Sequence, residues 1–218
     1  MHRIIVFLGP SLEPSAAETI LSAEYRPPAK RGDLIAAAGG GATIIGLIDG
    51  VFHQESAVAH REILAAIQHG VTVIGASSMG ALRAAEMDTL GMVGIGEIYR
   101  MYKSGELESD DEVALVFDPE SGIALSEPLI NIRFTLKRAK GEGIIDDSVH
   151  DALLASARSL FYPKRTYGAV VSAAGDALDE TTRVRFLDWV ITGACDQKRE
   201  DAESAMRYIR DISGKDKD

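Results

Sequence analysis

Three short β-branched runs, RIIVFL at residues 3–8, TIIGLI at 43–48 and VTVIG at 71–75, constrain this chain more than any other feature. Glycine, proline or aspartate punctuates each of them, and helical patterns fill the intervals. Pro14 and Ser15 open a short helix through about Ala23. The stretch YRPPAKRGD that follows has two prolines and several charges, and reads as a surface loop. Asp33 can cap the brief helix LIAAA, which Gly39-Gly40-Gly41 ends as a turn; these glycines precede a strand, the reverse of a phosphate-binding loop. A helix from about Ser56 to Gln68 carries Ile63, Leu64 and Ile67 on one face, and Gly70 caps it. Strands alternating with helices over short links predict an α/β fold, a mainly parallel central sheet with flanking helices.

The second half is patterned differently. GMVGIGEIYRMY, SDDEVALVF and LSEPLINIRFTLKRA predict helix, short strand and helix. Beyond about residue 145 the spacing is helical throughout, with stripes at Val149, Leu153, Leu154, Ala157, Leu160 and Phe161, at Val184, Leu187 and Ile191, and at Ala202, Ala205, Met206, Ile209 and Ile212. The expected division is therefore an α/β core domain over 1–145 and an all-helical C-terminal region over 146–218 packed on it.

Composition matters mainly for what it excludes. Apolar residues make up 46% of the 218, enough for a core. No run approaches the ~18 apolar residues of a membrane span, and MHRIIVFLGP is too short in apolar length for a secretory segment. A net charge of −10 argues against a general nucleic-acid binder. Basic islands remain at Arg26, Lys30 and Arg31, and at Arg133, Lys137, Arg138 and Lys140. The single cysteine, Cys195, rules out an intramolecular disulfide and a multi-cysteine metal site, and suits a reducing cytoplasm. His60 falls on the apolar stripe with Ile63 and Leu64 and reads as structural. His2, His69 and His150 are isolated. Asp110, Asp111 and Glu112 read as a charge cluster at a helix N-terminus. No metal and no cofactor is expected.

The chemistry concentrates in VTVIGASSMGALRAAE, residues 71–86, where a strand runs into a helix through two adjacent serines. Ligands of α/β sheets gather at the carboxyl ends of the strands, and Ser77 and Ser78 fall there. A nucleophile elbow needs small residues two before and two after its serine. Ser78 has Ala76 and Gly80 in those places, whereas Ser77 has Gly75 and Met79, so the spacing favours Ser78. N–H groups near Met79 and Gly80 would open the helix and could receive an oxyanion. A serine in this position can also be a plain helix cap. A nucleophile needs a base, and Ala81 stands where a local Ser-x-x-Lys lysine would be. Asp49 and His53, after the preceding strand, offer one distant source. Lys30, in the proline-stiffened loop, offers another. Spacing alone leans towards His53.

Seven blocks in order, FLGPSL (7–12), PPAKRGDL (27–34), LIDGVFHQ (47–54), HREIL (60–64), GASSMGALRAAEMDTLGMVGIGEIY (75–99), DDEVA (110–114) and SEPLINIR (126–133), resemble the TfuA family, partner proteins of YcaO enzymes in peptide-backbone thioamidation. They span rather more than half of the chain, and the serine block is highly specific. The resemblance implies a hydrolase-like protein that cleaves the C-terminal thiocarboxylate of a ubiquitin-like sulfur carrier of the ThiS type, releasing sulfide for YcaO. It implies a Ser–Lys pair, carried onto Ser78 and Lys30, with Ser77 and Lys103 as alternates. Asp49 and His53 would bind or orient at the rim, and Arg31 and Arg83 would supply positive field or attract the substrate's charge. One departure follows DDEVA, where the chain reads VALVFDPE and lacks the histidine the family leads one to expect. Two rival readings are an adaptor without catalysis that strengthens YcaO's hold on its peptide, and an esterase or peptidase using Ser78, His53 and Asp49.

Overall fold

The computed structural model describes residues 2–51, 57–118 and 122–214. Five strands, β1 (Ile4–Phe7), β2 (Glu24–Arg26), β3 (Ile44–Leu47), β4 (Thr72–Ala76) and β5 (Val93–Ile95), form one sheet in the order β2-β1-β3-β4-β5. Every pairing is parallel. The three apolar runs are thus the three inner strands, buried on both faces as a parallel sheet requires.

Alternate residues of those strands meet helices on opposite faces. Ile5, Phe7, Ile45, Leu47 and Val73 pack with α2 (Asp33–Gly39), α3 (His60–Gln68) and α4 (Met79–Met87). Val6, Leu8, Ile44, Ile74 and Ala76 pack with α1 (Pro14–Glu18) and with the final helix, α10 (Gln197–Gly214). On α10 the buried stripe is Ala202, Ala205, Met206 and Ile209. Gly46 on β3 lets that helix approach, since a Cβ there would stand 3.0 Å from the Ile209 side chain.

The chain folds as two compact units, one of residues up to 110 with those from 198 onward, the other of 111–197. In the first unit α10 returns to the sheet and adds its apolar stripe to the β core. In the second unit α6 (Leu129–Gly141), α7 (Asp147–Ser159), α8 (Tyr167–Ala173) and α9 (Glu180–Gly193) surround Leu136, Leu153, Ala157, Val170 and Phe186. Side-chain caps fix where three of these helices begin. Asp146 accepts from Val149 N–H, Thr166 from Ala169 N–H and Asp179 from Thr182 N–H.

SDDEVALVF does not make the expected strand. It holds a single 3₁₀ turn at Asp110–Glu112 and one isolated antiparallel bridge, Phe117 to Ala124. The acidic trio is not a helix N-terminus either. Glu112 takes a two-pronged bond from Arg133, at 2.8 and 2.6 Å, and Asp111 meets Arg165 at 2.5 Å.

α5 (Glu97–Ser104) begins without a cap of its own; Asp201, from the first turn of α10, accepts from Glu97 N–H (2.9 Å) and Ile98 N–H (2.8 Å). Gly96 just before it has φ 97°, and a Cβ there would stand 2.7 Å from Asp201 Oδ1. Asp201→Ala strips both donors and is expected to cost about 1–2 kcal/mol, read as a lower midpoint in urea unfolding.

Candidate active site at the serine turn

The carboxyl edge of the sheet is where the site assembles. Between β4 and α4 the chain turns within two residues. Gly75 and Gly80 face each other across the turn. A Cβ on Gly75 would stand 2.9 Å from the Gly80 carbonyl carbon, and one on Gly80 2.7 Å from that of Leu47. These glycines bracket both serines, so their close approach does not by itself decide between Ser77 and the Ser78 that the spacing favours.

The backbone distinguishes them. Ser77 has φ 67°, the only non-glycine residue with positive φ among the described residues. Left-handed backbone costs an L-residue roughly 1–2 kcal/mol, and such strain collects at working sites. Ser77 is also 0% exposed, and its Oγ makes no hydrogen bond among the described residues. Ser78 opens α4, yet its side chain does not cap the helix. Neither hydroxyl is explained as a helix cap. The left-handed backbone of a sharp strand-to-helix turn falls on Ser77 and not on Ser78.

Of the expected oxyanion donors, Gly80 N–H is taken by the Ile48 carbonyl at 3.2 Å; the neighbouring Ser78 N–H goes to that of Ala76 at 2.8 Å. Met79 N–H is the first of α4 and has no acceptor inside the helix.

Asp49 follows β3 and is 2% exposed. Its Oδ2 accepts from Gly9 N–H (2.9 Å) and Ser11 N–H (3.1 Å), and its Oδ1 from the Ser11 hydroxyl (2.7 Å). Strand order reverses between β1 and β3, the place where such sheets bind anions. Here the chain's own carboxylate fills that cradle, and Asp49 serves the turn after β1 with both oxygens. His53 lies outside the described residues.

The proline loop reaches the same edge. Ala29 N–H donates to the Asp49 carbonyl (2.9 Å) and Val51 N–H to that of Ala29 (3.0 Å), while Pro28 lies against Gly9. Lys30 is therefore anchored beside β3 through its neighbour, with its N–H on Asp33 (2.9 Å) and its side chain exposed. Gly50 touches both Ala29 and Met79, linking the loop to the serine turn.

Two of the expected basic residues line a cavity of about 500 Å³ that begins at Met79. Arg31 and Arg83 share its wall with His60, Leu82, Glu86 and Glu108. Arg83 holds the Val58 carbonyl (3.1 Å) and Glu86 (2.6 Å). His60 is exposed and bonds Glu86 at 2.7 Å, so it is not the core residue its spacing suggests. Lys103 is engaged elsewhere; its hydrogen bond holds the Asp88 carboxyl below the usual carboxylate range.

The family model described as "TfuA-like protein" matches residues 49–166. The chain belongs to the TfuA-like protein family. No curated protein matches it. The TfuA-like match takes in Asp49, the serine turn, Arg83 and the ion pairs at Arg133 and Arg165, and it ends before α10. No helix among the described residues is long and apolar enough to cross a membrane.

What sequence reasoning missed lies outside that match. Ser11 is one such residue, and Lys198 is the other. Lys198 is 2% exposed, and its Nζ stands 4.0 Å from Asp49 Oδ1. A signal for it existed, since residues 198, 202, 205 and 209 share the 4-3-4 spacing of the buried stripe.

Proposed function

We propose that this TfuA-like protein works with a YcaO enzyme in peptide-backbone thioamidation, hydrolysing the C-terminal thiocarboxylate of a ThiS-type carrier in the cytoplasm. Ser77 attacks the thiocarboxylate carbonyl, with a lysine as proton acceptor. Lys30 is the lysine the family motif supplies. The hydroxyl leaves its proton with the departing sulfur as hydrosulfide, and water then frees the acyl group as a carboxylate. Met79 N–H faces the developing oxyanion. The observation that carries this reading is the orphan hydroxyl of Ser77 on a left-handed strand-to-helix turn.

Ser77 is covered, so docking of the carrier must part the surroundings of the turn. The cavity beginning at Met79 supplies the adjacent room for an extended C-terminal tail, with Arg31 and Arg83 to meet its negative end.

Sulfide release from carrier thiocarboxylate tests this. Ser77→Ala is expected to lower it by a factor of about 10³ or more, as loss of a nucleophile does. Its stability should be unchanged or higher, because the hydroxyl removed satisfies nothing and its burial costs free energy. Ser78→Ala should retain most of the activity. The opposite ranking moves the nucleophile to Ser78. Wild-type release in both variants, with thioamidation still stimulated when free sulfide is supplied, establishes the adaptor reading instead.

A further inference from the structure

Glu62 is a buried carboxylate, 6% exposed, that the reading above does not use. Burying such a group is costly unless donors meet it, and here both oxygens are met. Oε1 accepts from Ala59 N–H at 2.8 Å, and Oε2 from Gly32 N–H at 2.9 Å. The first bond is an ordinary helix cap, since Ala59 is the N-cap of α3 and Glu62 stands at its third helical position. The second bond is not explained by the helix. It crosses to the proline loop, 30 residues away in the chain, and takes the N–H of a glycine with φ 94°.

That N–H belongs to a short turn that carries Lys30 and Arg31. The turn is closed on itself: Lys30 N–H donates to the Asp33 carboxylate (2.9 Å) and Asp33 N–H to the Lys30 carbonyl (3.1 Å). Just before it, Ala29 is bonded to the backbone of Asp49 and Val51. Two basic side chains therefore project from a segment pinned on both sides of them. Both pins lead towards Met79. The Ala29 carbonyl oxygen and the Met79 Cβ each stand 3.3 Å from the place a Cβ on Gly50 would take. Arg31 lines the cavity that begins at Met79, and so do Ala59 and His60. Through one carboxylate, Glu62 ties the proline-loop side of that cavity to its α3 side.

Two prolines and a self-closed turn already restrict this loop, so stability alone gives little reason to spend a buried acid on it. Such an anchor has a use where the placement of a side chain matters, because a shift of about 1 Å at a reacting group can cost ~100-fold in rate. We propose that Glu62 is a positioning residue of the hydrolase, holding the Lys30–Arg31 turn so that Lys30 meets the serine turn. The inference rests on the hydrolase reading, in which Lys30 accepts the proton. Glu62 takes no part in making or breaking bonds; it acts through the backbone that presents Lys30.

The test is a double-mutant cycle on sulfide release from carrier thiocarboxylate, in full-length protein. Glu62→Ala is expected to lower kcat by about 30-fold and to change KM by less than about threefold. Lys30→Ala should lower kcat by about 100-fold, as loss of a general base does. Added to Lys30→Ala, Glu62→Ala should cost less than about twofold more, because no base is left to position. An equal loss from Glu62→Ala in both backgrounds marks a merely structural residue and overturns the proposal. Full activity in Glu62→Ala or in Lys30→Ala also overturns it, and leaves the hydrolase reading standing on Ser77. If Glu62→Ala melts too low to assay, Glu62→Gln takes its place in the cycle. Glutamine keeps the length and one of the two acceptors, so a loss of about fivefold that vanishes in the Lys30→Ala background supports the proposal, and one that persists overturns it. A wild type that releases no sulfide sinks the hydrolase reading and this inference together. Additive losses beside an active wild type sink this inference alone.

Discussion

Gly80→Ala is expected to break the serine turn and to destabilise the sheet-bearing unit by at least about 3 kcal/mol. A Cβ at position 80 would stand 2.7 Å from the Leu47 carbonyl carbon and 3.2 Å from the Ile48 carbonyl oxygen. Both are backbone atoms at the end of β3, a strand held on one side by β1 and on the other by β4. They cannot step aside as a flexible side chain would. Relief has to come from α4, whose withdrawal sacrifices the Gly80 N–H bond to Ile48 and the opposing contact with Gly75. For a chain of this length each kcal/mol moves Tm by ~2–4 °C, so a drop of about 10 °C is expected by calorimetry. Gly39→Ala is the control. It ends α2 with nothing within 4 Å of the added methyl and no positive φ, so it should be neutral or slightly stabilising. A Gly80→Ala protein that melts with the wild type would mean that the helix does not start where β3 ends. The packing that throws Ser77 into its left-handed conformation would go with it.

The same turn shows what a sequence can and cannot disclose. A strand, small residues, serines and a helix are local signals, and the parallel sheet follows from three such units with short links. β2 stayed hidden because Pro27 and Pro28 speak for a loop, whereas Glu24–Arg26 pairs with β1 as an edge strand that ends one residue before Pro27. β5 stayed hidden because Val93-Gly94-Ile95 has a glycine at its centre; Tyr99 lies against that glycine, where a side chain could not fit. Which serine takes φ 67° depends on how Gly75 and Gly80 meet across the turn, a contact that the spacing rule, which favours Ser78, does not register. The pairing of Lys198 with Asp49 joins residues far apart in the chain. The lysine's place on an apolar stripe signals burial, but nothing local says which strand it faces.

The second unit rests on one arginine, and Arg165→Met is expected to cost on the order of 3–5 kcal/mol there. Arg165 is 0% exposed. Its guanidinium donates to the carbonyls of Ala157 (3.0 Å), Leu160 (3.0 Å) and Asp111 (3.3 Å), and to the Asp111 carboxylate at 2.5 Å. Two of those carbonyls lie at the end of α7, where the last turn has no partners of its own, so the arginine serves as a cap from outside the helix. Its own carbonyl accepts from Glu127 N–H at 2.7 Å, which ties the approach to α6 to the same residue. Methionine fills the volume but leaves three carbonyls and a carboxylate unmet. Lysine keeps the charge but has no planar fork to divide among four acceptors, so Arg165→Lys should lose most of the same stability. Asp111→Asn should cost far less, because that side chain is 37% exposed and water can replace the bond. Hydrogen exchange over residues 129–193 separates the cases: protection should fall for both arginine variants and hold for Asp111→Asn. Because the fork is buried, 1 M salt should not narrow the gap between Arg165→Met and wild type, whereas it would erase a difference that came from surface charge alone. Equal loss in Arg165→Met and Asp111→Asn would place the stabilisation in the ion pair and not in the carbonyl cap.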